Sequence, residues 1–467
     1  MHNETVTRPG PVMADPVTSI VEKASTMEER LSGPFNPLES AGDEHTLRAR
    51  FRTWQNNAAK GDERRFVERL ALSGWTVEDA LRSLRPVRLA EGAALPPWAD
   101  TLQRMIRSIQ SRRDATSAEK PAFLDAAKPE PFEELLVPFV RVAWEMLAEA
   151  EGERLSWLGE RARRDLQRYC LKRLSRLSWQ ALELEYSAFR ALDSDIARLF
   201  ASRLRAHVGS ESGRSVYLRF VENMFGGKYL EFLNEYSVLA RLLAQAVDNW
   251  VATCSEFLRR YVQDREAIGS EILDGLAAGR IGSLRIGLSD HHNGGRSVMI
   301  VELEDGRKMV YKPKSLQIAA AFHRLLDWLN ERTEFPLELK RMKLLDRGPY
   351  GWEEYVEQTP CADRAAVRRY YYRAGAILCL VYALDGTDFH GENVIACGEH
   401  PVLVDLETLL HPRITIPYAE EKDDSAQRLA FEKVQRSVLS TLLLPVWKQA
   451  PNGGYELGGI FVNEDLG

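Results

Sequence analysis

The sequence predicts an α+β protein in which a helical N-terminal region precedes a mixed region of strands and helices. Three observations carry that expectation. From about residue 46 to 265 apolar residues recur at helical spacing: Leu136, Phe139, Val140, Ala143, Trp144 and Leu147 mark one helix face. Leu239, Leu242, Leu243, Ala246, Val247 and Trp250 repeat the pattern. From about Gly282 the period shortens, and "SVMIVELEDGRKMVYKPK" alternates apolar and polar residues around Asp305-Gly306, the pair that best signals a tight hairpin.

Taken in order, residues 1–45 carry Pro9, Pro11, Pro16, Pro34 and Pro37 among polar and small residues and read as an irregular tail. Residues 46–265 read as a helical domain, a substrate-peptide or scaffold region whose tryptophans are core residues. Within it the basic run Arg161, Arg163, Arg164, Arg168, Lys172, Arg173 and Arg176 reads as a solvated helix face rather than an anion-docking surface. Residues 266–467 read as a mixed domain. Its strand pair is followed by the helix pattern "LQIAAAFHRLLDWLN", a mixed stretch with "GWEEYVE", the helix pattern "RAAVRRYYYRAGAILCLVYAL", and two short strand-like runs. A chain of 467 residues exceeds what one core organises, which agrees with two packed units.

Composition narrows the function classes. Apolar residues at 45% and charged residues at 28% describe a globular chain. A net charge of −6 offers no global attraction to nucleic acid or to an anionic membrane. The longest apolar stretch, Ala374 to Leu384, is too short to span a bilayer, and a cytoplasmic location is expected. Cys170, Cys254, Cys361, Cys379 and Cys397 are widely spaced, without a zinc pattern, and read as reduced, mostly packed thiols.

The chemistry-bearing residues gather in "LDGTDFHGENVIACGEHPVLVDLETLL", Leu384 to Leu410. Phosphoryl transfer needs an aligned nucleophile, metals bridging the phosphates, and positive charge where negative charge accumulates. In the kinase pattern a catalytic Asp precedes a metal-binding Asn by five positions, and a second metal-binding Asp follows a short hairpin. Asp388 and Asn393 have that spacing, "VIACGEHPVLV" reads as strand, turn at Gly398 to Pro401, and strand, and Asp405 follows. Asn393, Asp405 and Glu407 are the hard oxygen donors that magnesium prefers. His390 follows the aspartate instead of preceding it, and D-x-H-x-x-N with a later D-x-E is the form of small-molecule phosphotransferases. Lys312 of "MVYKPK" shares a strand face with Val310 and can reach a cleft. Upstream, Gly294 and Gly295 of "GLSDHHNGGRSV" would let backbone N–H groups approach phosphate. Each signal is weak alone; their joint order is what points to a kinase-like site.

The stretches "GSLRIGLSDHHNGGRSV", "VYKPKSL", "DGTDFHGENVIACGEHPVLVDLETLL" and "SVLSTLLLP" resemble the dehydratase region of class II lanthipeptide synthetases of the LanM type, densely from about residue 230 onward. The resemblance implies an atypical, lipid-kinase-like fold that uses ATP and magnesium to phosphorylate Ser and Thr of a precursor peptide, the first step toward dehydroalanine and dehydrobutyrine. It implies ATP-phosphate contact by Lys312, magnesium binding by Asn393 and Asp405, and substrate-hydroxyl orientation or deprotonation by Asp388, with Asp290, His292, His390 and Glu407 in the same site. It does not extend to elimination or to the zinc-dependent cyclase. The chain is therefore expected to be the front part of a synthetase with its kinase fold incomplete, without zinc, the cyclase being absent or supplied separately. Two other readings stand beside it: a small-molecule phosphotransferase, which would not need so long a helical preamble, and an inactive module that binds only the precursor's leader peptide.

Overall fold

The computed structural model describes residues 15–38, 44–113, 121–204, 213–288, 294–332, 338–411, 426–450 and 453–459. Helices dominate, and among the described residues the strands form one five-stranded antiparallel sheet and three two-stranded ladders, an α+β composition. The described residues fall into two compact units. One takes those within Met1–Leu155, Arg163–Arg259 and Asn293–Gly295; the other takes those within Ser156–Ala162, Arg260–His292 and Arg296–Gly467.

In the helical unit the two stripes read from sequence become the helix Glu133–Glu151 and the part of the helix Ser237–Glu271 up to Arg259, its remaining residues being grouped with the other unit. The first buries Leu136, Phe139, Val140, Ala143 and Leu147, and the second buries Leu243, Val247 and Trp250. Burying the Trp250 indole requires a partner for its N–H, which donates to the Leu166 carbonyl at 3.2 Å. Tyr229 does the same toward Leu135, at 2.9 Å. Cys170 and Cys254 pack inside this unit as free thiols, and burial pushes the Cys170 thiol up to about 12.

Two expectations need correction here. Residues 16–37, read as part of an irregular tail, form the helices Pro16–Ala24 and Met27–Ser32 and the short strand Phe35–Pro37, which pairs with Val87–Leu89. Pro16 stands at the start of its helix, where a missing N–H costs nothing. Asp15 caps that helix, Thr26 and Glu29 form a capping box for the next, and Ile20 and Val21 are buried. The basic run is also not simply a solvated face. Arg168 pairs with Glu133 at 3.2 Å, Arg163 donates to the Leu155 carbonyl at 3.0 Å, and Arg173 donates to the Gly295 carbonyl at 3.3 Å.

The mixed unit is built on the five-stranded sheet, in the order Ile281–Ile286, Met299–Leu303, Lys308–Lys312, Gly351–Glu354, Leu344–Asp346. The Asp305-Gly306 signal is realised as a tight connection between the second and third of these strands, with Gly306 at φ 86°, a conformation glycine adopts without steric cost. The helices Gln317–Arg332 and Arg364–Ala383 arise where their patterns predict. They share a core containing Phe322, Leu326, Ile377, Val381, Phe389 and Leu406. The second hairpin pairs Val394–Cys397 with His400–Leu403, and Pro401 sits opposite Ala396 within the ladder. Its turn is anchored by buried Arg373, which donates to the Glu399 carbonyl at 3.0 Å, to Glu399 Oε1 at 2.9 Å and to the Glu338 carbonyl at 2.8 Å. Beneath the five-stranded sheet, Asp264 is 1% exposed. It accepts hydrogen bonds from Arg347 Nε at 2.9 Å, Tyr350 O–H at 2.8 Å and Trp352 Nε1 at 2.9 Å.

Candidate functional site

Strand register decides what Lys312 meets. Val310 lies opposite Glu353 and Lys312 opposite Gly351, so Glu353 is the diagonal neighbour of Lys312 on one face of the sheet. The Lys312 ammonium lies 2.7 Å from Glu353 Oε2, with the side chains only 8% and 3% exposed. It also donates to the Val404 carbonyl. Burying a polar side chain costs free energy unless partners replace water, and here a carboxylate and a carbonyl do so. Gly351, opposite Lys312, lets Leu316 pack close against the strand: a Cβ there would stand 2.3 Å from Leu316 Cδ1.

The loop after helix Arg364–Ala383 positions the other half. Phe389 is fully buried, and its N–H donates to the Thr441 carbonyl at 2.9 Å, which fixes the loop from below. Asp388, immediately before it, has φ 67°, a left-handed conformation that non-glycine residues adopt at a cost of about 1–3 kcal/mol. Its side chain is 56% exposed, and His390 Nε2 lies 3.6 Å from Asp388 Oδ1. Asn393 Nδ2 donates to the Asp388 carbonyl at 2.8 Å, which leaves Oδ1 as the end of the amide able to bind a cation. The hairpin then returns as the sequence predicts: the Val404 N–H donates to the Asn393 carbonyl at 3.0 Å, placing Asn393 beside the Val404-Asp405 step. Lys312, Asn393 and Val404 are thus joined by direct hydrogen bonds, and Asp405 is the next residue.

Asp405 and Glu407 share a cation that sequence reasoning passed over. Lys314 Nζ lies 3.0 and 3.3 Å from the two Asp405 carboxylate oxygens and 2.5 Å from Glu407 Oε2. Burial pulls the Lys314 ammonium down, but hydrogen bonds to Glu407 and the charge of Asp405 outweigh it, and the group titrates above the ordinary lysine range. Lys312, Lys314, Leu316, His323, Asp405 and Glu407 line one cleft. His323, from helix Gln317–Arg332, is 5% exposed, and neither ring nitrogen has a hydrogen-bond partner among the described residues. Burial pushes it down to about 4, so it is neutral at pH 7.

Two hard carboxylates and a carboxamide fit magnesium better than a softer metal. No group of three or more His, Cys, Asp or Glu arranged for a metal ion occurs among the described residues. That is compatible with magnesium, which is commonly held by one or two carboxylates.

Not every predicted residue joins this site. Asp290 and His292 lie outside the described residues. Gly294 and Gly295 have φ 84° and 96°, and they group with the helical unit, where the Arg173 guanidinium would stand 2.1 Å from a Cβ on Gly295. Asp388, His390 and Asn393 do not line the cleft that holds Lys314. The residues that sequence reasoning missed are Glu353, Lys314 and His323. Glu353 sits in the quoted "GWEEYVE" and Lys314 in "VYKPK", two residues past Lys312, the last residue of its strand.

No helix among the described residues is long and apolar enough to cross a membrane. Residues 236–465 match a family model described as a domain of unknown function, DUF4135. The chain is 27% identical over 265 residues to the lacticin 481/lactococcin biosynthesis protein LcnDR2 of Lactococcus lactis subsp. lactis, an alignment covering 53% of this chain and 28% of that relative. The chain is thus similar to a protein of lacticin 481/lactococcin biosynthesis over little more than a quarter of that protein's length.

Proposed function

We propose that the mixed unit transfers the γ-phosphoryl group of ATP to Ser and Thr hydroxyls of a lanthipeptide precursor, as the first step of their dehydration, within a kinase-like fold. The observation that carries this reading is the linkage of Lys312 through Val404 to Asn393 and Asp405, which gathers three residues spread over the chain from 312 to 405. The similarity to a lacticin 481/lactococcin biosynthesis protein supports the peptide as substrate.

In this reading Lys312, oriented by Glu353, contacts the ATP phosphates, and its position is set before substrate arrives because the pair is buried. Asp405, Glu407 and the Asn393 amide oxygen would hold magnesium, which when bound neutralises charge on the phosphates. Asp388, exposed and fixed by an unusual backbone conformation, receives the hydroxyl proton of the substrate Ser or Thr. His390, 3.6 Å away, steadies that carboxylate.

The test is to incubate the chain with ATP, magnesium and a candidate precursor and to weigh the peptide. Phosphate adducts on Ser or Thr are expected, and Asp388→Asn is expected to remove them. Peptide returned unmodified while still bound would leave a leader-binding module; phosphorylation of a small alcohol in preference to peptide would overturn the choice of substrate.

A further inference from the structure

We propose that Lys314 is a resident cation of the metal site: it holds Asp405 and Glu407 together before magnesium binds, and it is displaced toward the nucleotide phosphates when the metal enters. This deepens the reading above and rests on it, since it supposes that Asp405 and Glu407 are metal ligands.

The argument is one of charge and space. Three carboxylate oxygens from two side chains surround the Lys314 ammonium at 2.5–3.3 Å. Without a cation, neighbouring carboxylates repel and their loop would spread. An ammonium satisfies them at hydrogen-bond distances, whereas magnesium demands oxygens at roughly 2.0–2.1 Å. The two cations cannot share that volume, so the metal must displace the lysine. The Lys314 side chain is 31% exposed, against 8% for Lys312, so it has an open path along which to leave. Lys312 is committed to Glu353 and the Val404 carbonyl, while Lys314 pairs with the two candidate metal ligands. Only Pro313 separates the two, and both lysines line the same cleft, so a displaced Lys314 starts beside Lys312.

Two consequences follow. Metal alone should bind weakly, because it competes with an intramolecular ammonium. Metal and nucleotide should bind cooperatively, because phosphates offer the released ammonium a new partner, and the coupling must be reciprocal.

The experiment measures Mn2+ affinity of the full chain by calorimetry, with and without ADP. Lys314→Gln is expected to tighten Mn2+ binding in the absence of ADP by about tenfold or more and to shrink the gain that ADP confers. Lys314→Arg, which keeps the cation, is expected to stay near wild type. Unchanged or weaker Mn2+ binding in folded Lys314→Gln would overturn the proposal. Asp405→Asn separates the two levels: if it too leaves Mn2+ affinity unchanged, the metal-site reading fails, whereas a loss there with no gain in Lys314→Gln sinks only the role of Lys314. Should Lys314→Gln not fold, amine labelling of the wild-type chain decides. Lys314 should become more reactive when Mn2+ saturates the site, and constant reactivity would contradict the displacement.

Discussion

Asp264 and Asp405 lie in the same unit, and the contrast between their surroundings separates a carboxylate that builds the fold from one available for chemistry. Asp264 is 1% exposed and takes three donors from Arg347, Tyr350 and Trp352, all on or beside the strands that position Glu353. Nothing is left to bind a ligand. The Asp405 side chain is 29% exposed and is neutralised by one lysine that is itself part-exposed. Removing a fully enclosed acceptor leaves its donors buried and unpaired, whereas removing a half-exposed one lets water take its place. The lesson is that charge in a cleft is informative only together with how completely that charge is satisfied.

Four outcomes would sharpen or break this contrast. The largest effect is expected for Asp264→Ala, a loss of about 3–5 kcal/mol in chemical denaturation, with Asp405→Asn staying within about 1 kcal/mol of wild type while phosphorylation is abolished. If both variants unfold alike, the distinction between the two carboxylates is wrong.

Lys312→Met should lose both activity and about 3 kcal/mol of stability, because it strands the buried Glu353 carboxylate. The double variant Lys312→Met/Glu353→Leu should recover most of that stability and none of the activity. Recovery of phosphorylation would remove Lys312 from the site.

An intermediate, pH-dependent effect belongs to His323. Its folded value of about 4 lies below the ordinary 6.5, so the unfolded chain binds the proton more readily. Its contribution is present above pH 6.5 and is lost as pH falls toward 4, by about 3 kcal/mol if the whole shift is expressed. Denaturation midpoints measured across that window should flatten in His323→Leu.

The smallest expected effect is local. Arg373→Gln should cost about 1–2 kcal/mol and speed hydrogen exchange in the hairpin 394–403, leaving the five-stranded sheet protected.

Periodicity carried the elements whose burial is one-sided: the helices Glu133–Glu151 and Ser237–Glu271, and both hairpins, lie where spacing and turn residues place them. It failed at Pro16–Ala24, because prolines read as breakers when one of them opens a helix. In the site, the short-range pattern Asp388, Asn393, hairpin, Asp405 was visible because the hairpin itself brings Asn393 to Val404. Glu353 was not visible, because its pairing with Lys312 depends on which strands are neighbours and in what register, and spacing along one chain encodes neither. Lys314 was in plain view beside Lys312, but a lysine acquires meaning only from the carboxylates it faces, and those lie some ninety residues away.

The most direct test is mass spectrometry of a lanthipeptide precursor after incubation with ATP and magnesium, comparing the wild-type chain with the stability-restored Lys312→Met/Glu353→Leu variant. The account predicts phosphate on Ser or Thr with the wild-type chain and none with the variant. Equal phosphorylation by both, or phosphate on neither while precursor and ATP are bound, would contradict it.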